Sequence, residues 1–429
     1  MFELRIPLKQ KVGLQFPSTL KDNLLKKLSL ITGLFLILLT ACGDQNSNHP
    51  AQNSEQNELQ DSSKSLKPNN RYFKRSGSLS SFKWAPTTYK STFLYDVTYY
   101  IPEKIKDSSN VKSLIFMHGG GSSTMTREGS LEVSLRYKNY VKQIADELGM
   151  IVVLPSASGL NWGGHTYYML KELAALMRRE LKLDANNIGL TGHSMGGMGI
   201  TRSAVFLGDE FAYFVPVASG TDERQIVEEH VNKSFNTPYV QLQGLKDHFE
   251  VFVTRNKAQE KLVHELEAKY GEKSKYEMIF YDGDHQMNTR LWIDTIKRLQ
   301  QSPRDLFQKK LYGVLRTNAN FYVENNIRFF QGSASRYFWV SVSEADYSKV
   351  ESVNFRASIE NNRIEINFAK RPEQFKKIKV SLSKKMINFA EEVTISVDGR
   401  ETIYKPRSKG IVSISDQEFE FDDFVEIDL

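Results

Sequence analysis

The sequence contains a single cysteine, Cys42, among its 429 residues. One cysteine excludes an intrachain disulfide framework and any Cys-x-x-Cys redox or zinc motif. No charge of one sign dominates, because 57 Lys and Arg against 51 Asp and Glu give a net charge of +6. The first 41 residues hold six basic and two acidic side chains, so the rest of the chain carries only +2. That balance is too weak to indicate a nucleic-acid partner.

An apolar run near the start of the sequence is short for a membrane span. Leu28–Leu39 follows Lys26 and Lys27 and is about a dozen residues long, whereas a spanning helix needs about 20. A basic flank and a short apolar core are typical of a secretory signal. The run ends in Leu-Thr-Ala-Cys at Cys42, which resembles a bacterial lipobox, whose cysteine is acylated and becomes the mature N-terminus.

We therefore predict a lipoprotein signal peptide over 1–41 and lipidation of Cys42. The resemblance implies a lipid-anchored, extracytoplasmic protein of the bacterial cell envelope. Residues 42–70 are rich in Asn, Gln, Ser, Asp and Lys, and such a segment cannot bury enough apolar surface to order itself, which predicts a flexible tether. An ordinary signal peptide with a chance cysteine and an uncleaved anchor are the alternatives.

The most informative segment is Gly-His-Ser-Met-Gly at 192–196, which has the Gly-x-Ser-x-Gly pattern of a nucleophile elbow. Such an elbow is a sharp strand-to-helix turn, and a Cβ two residues from the serine would clash there. Residues 187–191 have the composition of a short buried strand, and 198–207 that of a helix. This context predicts that Ser194 is a nucleophile.

A glycine cluster at 119–121 directly follows the apolar run 113–116. Glycines that leave a strand let backbone N–H groups face a cleft without obstruction by side chains. In the pattern that accompanies a nucleophile elbow, this loop supplies one oxyanion donor and the residue after the serine supplies the other. The sequence therefore predicts an oxyanion hole formed by Gly120 and Met195.

Two later residues complete a candidate catalytic triad with Ser194. Asp247 follows a strand-like run and a turn, and an acid at the carboxyl end of a late strand can orient a histidine. His285 follows the last strand-like run of this part of the chain, so the order along the chain is Ser, Asp, His. Asp222 also follows a strand-like run and is the alternative acid.

These motifs resemble those of the α/β-hydrolases, and more narrowly those of bacterial serine esterases related to the prolyl-oligopeptidase-like and polyhydroxybutyrate-depolymerase/feruloyl-esterase groups. The resemblance covers about residues 77–300. Its matching segments are 114–121, 152–155, 188–197, 214–220, 244–247 and 283–285. It implies ester hydrolysis through an acyl-enzyme, with Ser194, Asp247 and His285 as the triad, and it implies no metal or organic cofactor.

The segment 71–304 is predicted to be the hydrolase domain, because strand-like runs alternate there with amphipathic stretches. The predicted strands are 93–100, 113–117, 151–154, 187–191, 212–218, 238–243 and 276–281. The predicted helices are 131–148, 167–182, 198–207, 253–270 and 289–300. This alternation predicts an α/β fold with a doubly wound, mostly parallel sheet.

The character of the sequence changes at about Asp305, after which short alternating segments predict a smaller, sandwich-like all-β domain over 305–429. Asn361-Asn362 and Asp398-Gly399 are the hairpin-turn signals of this region. The domain resembles the small β-domain that follows the hydrolase in some bacterial secreted esterases and peptidases. Packing against the hydrolase is its predicted role. Glycan or polymer binding is the alternative, on the aromatic residues Tyr337, Phe338, Trp339 and Tyr347.

The sequence as a whole predicts a membrane-anchored serine hydrolase acting on small-molecule or polymeric esters. A prolyl-oligopeptidase-like serine peptidase is one alternative, although such enzymes carry a large β-domain before the hydrolase and here the hydrolase begins soon after residue 70. A non-catalytic binding lipoprotein on a hydrolase fold is another, which a missing triad member would indicate. Trp162 is either a pocket-lining or a structural aromatic.

Overall fold

The computed structural model describes residues 71–74, 77–86, 94–105, 111–120, 126–157, 162, 166–205, 207–220, 228–316, 336–346, 351–407, 412–414 and 417–429. The predicted signal and tether, Cys42, Asp222 and Tyr347 lie outside these ranges. Within them, no helix combines the length and apolar character that crossing a membrane requires.

The first half of the described chain forms one sheet of eight strands. These are β1 Ser80–Trp84, β2 Tyr95–Tyr100, β3 Ser113–Met117, β4 Ile151–Pro155, β5 Ile188–His193, β6 Phe214–Val217, β7 Tyr239–Gly244 and β8 Tyr276–Tyr281. Their spatial order is β1-β2-β4-β3-β5-β6-β7-β8. β1 pairs antiparallel with β2, and β2 pairs antiparallel with β4, whereas all pairs among β3 to β8 are parallel. A mixed α/β fold with a large, mostly parallel sheet is therefore confirmed, and it fits the α/β-hydrolase arrangement.

Helices connect these strands. They are α1 Arg127–Arg136, α2 Lys138–Leu148, α3 Thr166–Leu181, α4 Met195–Ala204, α5 Glu228–Val231, α6 Glu250–Tyr270 and α7 Thr289–Gln301, with 3₁₀ turns at Ala185–Asn187 and Asn232–Phe235. They cover both faces of the sheet, as alternate residues of β3 make clear. Ile115 lies in a core with α3 and α4, whereas Phe116 lies in a core with α2 and α7. Burial on both faces explains why β4 is continuously apolar.

Several predicted helices differ in their bounds from the observed ones. The single helix predicted over 131–148 is two helices that meet at Tyr137, and the first starts earlier because Thr126 caps it by accepting from the Gly129 N–H. Tyr137 packs its ring on Phe116 at a centroid distance of 5.2 Å, a tertiary contact that helical periodicity does not encode. The helix predicted over 198–207 is α4, which begins directly after Ser194.

The C-terminal part is all β. Its strands are β9 Lys310–Arg316, β10 Arg336–Tyr337, β11 Val340–Ala345, β12 Ser352–Glu360, β13 Arg363–Phe368, β14 Phe375–Leu382, β15 Val393–Val397, β16 Arg400–Tyr404, β17 Val412–Ile414, β18 Gln417–Phe421 and β19 Asp423–Asp428. They form sheets ordered β10-β11-β14-β19, β16-β15-β13-β12-β9 and β17-β18. The first two share one apolar core. The arrangement agrees with a sandwich-like module, and its boundary at 305 stays a prediction.

Both hairpin turns predicted in this region are confirmed. Asn361 and Asn362 have positive φ angles of 45° and 58°, and Asp398 and Gly399 have 47° and 81°. Each pair is the two-residue connection of an antiparallel hairpin. Two successive positive φ angles match the twist of the flanking strands, which is why Asn, Asp and Gly occupy these turns.

The alternative interpretation, an aromatic binding platform, is wrong for its described members. Tyr337, Phe338 and Trp339 are buried in the core of the β-rich part, and the Trp339 indole N–H donates to the carbonyl of Gln308. Buried rings cannot stack on a ligand at the surface. Alternating strands place large aromatics inward, so these residues serve packing.

Residues Leu66–Leu429 form one compact unit, and buried charges join its two parts. The Arg336 guanidinium of β10 lies 2.9 Å from the Asp209 carboxylate and 3.2 Å from that of Glu210, both of which precede β6. The Phe338 N–H also donates to Asp209. Burial raises the pKa of Asp209 even beside this guanidinium. A cation from the β-rich part thus joins Arg178 and Arg304, the other guanidinium groups that act on these two buried carboxylates.

We expect Arg336→Met to lower the free energy of unfolding by about 3 kcal/mol, because it removes a hydrogen-bonded cation from two buried carboxylates while Arg178 and Arg304 remain beside them. Urea denaturation measures this loss, which should be larger at pH 7 than at pH 4, where protonation removes the uncompensated charge. Arg290→Met is the matched control, since its ion pair with Asp294 is exposed and should matter little. An equal, small effect of both variants would contradict the prediction.

Candidate active site

The three residues of the candidate triad lie at one edge of the sheet. Ser194 follows β5, Asp247 follows β7 by a short turn, and His285 follows β8. The carboxyl ends of parallel strands meet at the same edge. The fold thus brings together side chains that are up to 91 residues apart in the sequence.

Ser194 sits on a strained turn. Its backbone has φ 54° and ψ −118°, a region that non-glycine residues seldom adopt. A Cβ at Gly196 would lie 2.1 Å from the Met117 carbonyl oxygen, and one at Gly192 would lie 2.7 Å from the same atom. Glycine is therefore required on both sides of the serine, as the sequence motif predicts.

The side chains of the candidate triad form a continuous hydrogen-bonded chain. The Ser194 hydroxyl oxygen lies 2.8 Å from His285 Nε2, and His285 Nδ1 lies 2.8 Å from Asp247 Oδ2. Because Nδ1 faces a carboxylate, it carries the proton, which leaves Nε2 free to accept the serine proton. Serine, base and orienting acid thus have the geometry of an activated nucleophile.

Asp247 is fixed by two groups in addition to His285. Burial by itself would raise its pKa, but hydrogen bonds from His285, the Phe249 N–H and the Gln243 amide outweigh burial and hold the pKa of Asp247 below its ordinary value. Gln243 in turn accepts from the buried Asn256 of α6 at 3.0 Å. Asp247 therefore stays a carboxylate and keeps one orientation toward the histidine.

A second hydrogen-bonded chain runs behind the site through His193. The Gly119 N–H donates to the Tyr137 hydroxyl at 3.2 Å, and this hydroxyl lies 2.9 Å from His193 Nδ1. His193 Nε2 donates to the His285 carbonyl at 2.8 Å. A carbonyl can only accept, so His193 carries its proton on Nε2 and accepts from Tyr137. This series of hydrogen bonds links the glycine loop to the loop of His285.

His118 forms hydrogen bonds that hold the glycine loop in place. Its Nδ1 donates to the Gly119 carbonyl at 2.7 Å, and its Nε2 accepts from the Ala157 N–H at 3.0 Å. Trp162, buried beside it, donates its indole N–H to the His118 carbonyl. Trp162 is thus a structural aromatic, and the interpretation of it as a pocket-lining residue is wrong.

The two predicted oxyanion donors lie in different surroundings, one at a helix N-terminus and one in a loop. Met195 is the first residue of α4, where helix N–H groups and the helix dipole favour negative charge. Gly120 is exposed at the end of the glycine loop and lines a cleft of about 300 Å³. Arg136, Tyr137 and His193 line the same cleft together with Val133 and Met287, so its wall is mixed polar and apolar. The role of Gly120 and Met195 as donors stays a prediction.

Four residues of the site have no motif that would reveal them in the sequence: Tyr137, His193, Gln243 and Asn256. The one available signal is the pair of amides Gln241 and Gln243 inside the buried strand β7, because a buried amide needs a partner. Over the described residues, no group of three or more His, Cys, Asp or Glu side chains is arranged to hold a metal ion.

No protein-family model matches the chain, and no curated protein matches it. Among solved structures, it is similar to the poly(3-hydroxybutyrate) depolymerase LpqC of Bordetella parapertussis at 15% identity and a TM-score of 0.41, over 51% of this chain and 90% of that one. Poly(aspartic acid) hydrolase-1 of Sphingomonas sp. KT-1 matches at 16% identity and a TM-score of 0.41, over 52% and 98%.

A third neighbour is the S-formylglutathione hydrolase FrmB of Staphylococcus aureus, at 21% identity and a TM-score of 0.37 over 52% of this chain and 95% of that one. The three neighbours are named as one depolymerase and two hydrolases. Each likeness covers about half of this chain at low identity. The case for chemistry therefore rests on the site geometry.

The two buried histidines should make stability depend on pH. Burial lowers the pKa of His118 and of His193 to about 4, whereas a histidine in the unfolded chain has a pKa of about 6.5. Between these values the unfolded state binds more protons, so the free energy of unfolding falls as the pH falls. We expect a loss of about 2 kcal/mol per histidine between pH 7 and pH 4.5.

Urea denaturation across this pH range measures the effect. His193→Gln should reduce the slope of stability against pH, because one of the two groups is gone. His264→Gln replaces an exposed histidine and should keep the slope. If His193→Gln and His264→Gln have the same slope as the unmodified protein, the assignment of a neutral, buried His193 is wrong.

Proposed function

We propose that this protein is a serine hydrolase that cleaves carboxylic esters through an acyl-enzyme. The observation that carries the proposal is the chain of two 2.8 Å hydrogen bonds from Ser194 through His285 to Asp247. Its position on a strained strand-to-helix turn, beside a glycine loop, is the second support. A chance polar contact would not require backbone strain at the serine.

In the first step, His285 Nε2 takes the proton of the Ser194 hydroxyl while the serine oxygen attacks the acyl carbonyl carbon. The proton on Nδ1 stays hydrogen-bonded to Asp247, whose carboxylate stabilises the imidazolium. The carbonyl oxygen becomes an oxyanion, held by the N–H groups of Met195 and Gly120. Collapse of this intermediate expels the alcohol, which takes the proton from His285.

In the second step, water enters beside His285. Its proton passes to Nε2, and its oxygen attacks the ester carbon of the acyl-enzyme. The second oxyanion uses the same two N–H groups. Its collapse releases the carboxylic acid and returns the proton to Ser194. These steps use only side chains and backbone groups of the chain itself.

We expect Ser194→Ala to lower kcat on p-nitrophenyl acetate by on the order of 10⁴-fold or more, because triad members act as a unit. The variant should also lose covalent labelling by a fluorophosphonate probe. Ser302→Ala, which replaces an exposed serine at the end of α7, is the control and should keep both activities. Hydrolysis within tenfold of the unmodified protein in Ser194→Ala would rule the nucleophile out.

The same assay distinguishes the candidate acids. Asp247→Asn should lower kcat by on the order of 10³–10⁴-fold, since the base loses its orientation. Asp282→Asn, at an exposed ion pair with Lys246, should have little effect. A large effect of Asp222→Asn with a mild effect of Asp247→Asn would assign the acid to Asp222. Faster cleavage of a matched p-nitroanilide than of the ester would favour a peptidase.

The proposal extends to the site of action in the cell. The apolar run before Cys42 and the polar segment after it support a lipid anchor at this cysteine, with the hydrolase outside the cytoplasm. A single acyl chain binds membranes weakly, so stable anchoring needs more than one chain. A diacylglyceryl cysteine, as the lipobox resemblance implies, meets this need.

We expect Cys42→Ser to abolish metabolic fatty-acid labelling of the protein and to move it from the membrane to the soluble envelope fraction, or to leave it unprocessed at residue 41. Esterase activity per mole should not change, because the substitution lies far along the chain from Ser194. Ser47→Ala is a control for a change in the same segment. Equal labelling of the unmodified protein and Cys42→Ser would place the anchor elsewhere.

A further inference from the structure

One short segment beside the triad exposes an unusual share of the apolar surface. Six large apolar side chains of the described residues are exposed: Leu79, Leu135, Leu245, Phe249, Val251 and Ile403. Three of them lie within seven residues, between the end of β7 and the first turn of α6. Single exposed apolar residues are ordinary, but a cluster of them indicates a binding surface.

The segment is in direct contact with the proposed base. The Phe249 ring packs edge-on against the His285 ring at a centroid distance of 4.9 Å, and the His248 ring does so at 5.2 Å. Phe252 lies behind them, 5.2 Å from Phe249. The segment therefore forms an aromatic wall on one side of the histidine that takes the serine proton.

The backbone fixes this wall relative to the triad. The Phe249 N–H donates to Asp247 Oδ1 at 2.9 Å, while the other carboxylate oxygen binds His285. Phe249 is also the residue from which α6 starts. Because one carboxylate holds both the histidine and the start of the apolar segment, the side chains at 249 and 251 keep a set distance from the reacting atoms.

The cleft near the site has a different character. Its volume is about 300 Å³, and it is lined by polar and apolar residues, among them Arg136, Gln286, Val133 and Met287, and by no residue of 245–252. The exposed apolar side chains beside His285 therefore form a surface separate from this cleft.

We propose that Leu245, Phe249 and Val251 bind the apolar arm of the substrate, and that the protein prefers esters with an aromatic or extended alkyl group on that arm. The inference rests on the proposed esterase function. Covering these side chains with a substrate removes apolar surface from water next to the scissile bond, and the free energy gained scales with the area covered. Acetyl esters of short alcohols cannot reach this surface.

The test compares substrate ratios in the detergent-solubilised full chain. The acyl arm uses p-nitrophenyl hexanoate against p-nitrophenyl acetate, and the alcohol arm uses benzyl acetate against ethyl acetate. Leu245→Ser/Val251→Ser removes two apolar side chains without touching the His285 ring. We expect the double variant to lower the kcat/KM ratio of one of these pairs by about tenfold, chiefly through KM. The pair that responds identifies which arm lies on the surface.

Leu79→Ser/Ile403→Ser is the matched control, because it removes two exposed apolar side chains far from the triad. It should leave both ratios unchanged and corrects for partition of the esters into detergent. If both ratios in Leu245→Ser/Val251→Ser equal those of this control, the inference is wrong. An equal loss on all four esters would also overturn it, since that result indicates that the segment only positions His285.

A measurement on the unmodified protein gives a second route if the variant does not fold. Boronic acids form a covalent adduct with an activated serine, so hexylboronic acid should inhibit at least tenfold more strongly than methylboronic acid. Equal inhibition by the two would contradict the inference while leaving the esterase intact. If the unmodified protein hydrolyses none of the four esters and binds neither boronic acid, the proposed function fails instead.

Discussion

The architecture of the site depends on one close backbone contact between the serine turn and the neighbouring strand β3. Gly196 approaches the Met117 carbonyl so closely that no Cβ fits between them, and in the sheet Met117 is paired with Gly192. This contact holds Ser194 at the edge of the sheet. It also brings the residues after Met117, the glycine loop, beside the serine. Ser194 and the glycine loop are thus brought together by a steric requirement, to which the hydrogen bonds of His118 and Tyr137 with Gly119 are added.

The parts of the site that the sequence predicts are those that a local physical requirement dictates. A sharp turn needs glycines around Ser194, and a two-residue hairpin needs Asn or Gly at positive φ. The alternation of apolar runs and amphipathic stretches likewise predicts the parallel sheet. Asp247 and His285 follow from chain order and from the edge at which parallel strands end.

The parts that the sequence does not predict are set by distant contacts. The break between α1 and α2 at Tyr137 exists because that ring packs on Phe116 and its hydroxyl binds His193. The support of Asp247 by Gln243 and Asn256 joins a strand to a helix across the sheet edge. No periodicity or local propensity reports such pairs, because each partner alone is an ordinary residue of its element.

Burial keeps one histidine of the site, His193, uncharged at neutral pH. His193 lies with its ring 5.2 Å from that of His285. Burial keeps the pKa of His193 at about 4, so at neutral pH it is an uncharged hydrogen-bonding group between Tyr137 and the His285 carbonyl. An ionised group that does contact the His285 ring is the Asp247 carboxylate.

The ion pairs between Arg336 and the carboxylates before β6 have a consequence for synthesis of the chain. Glu210 and Arg336 are 126 residues apart, and ribosomes deliver the chain from the N-terminus. All eight strands of the large sheet and all three members of the triad leave the ribosome before Arg336 does. The first part of a nascent chain therefore has its acidic pair without this cation, and the stability that Arg336 contributes arrives only when the β-rich part is made. The last strands to be synthesised thus help to stabilise the sheet that is synthesised first.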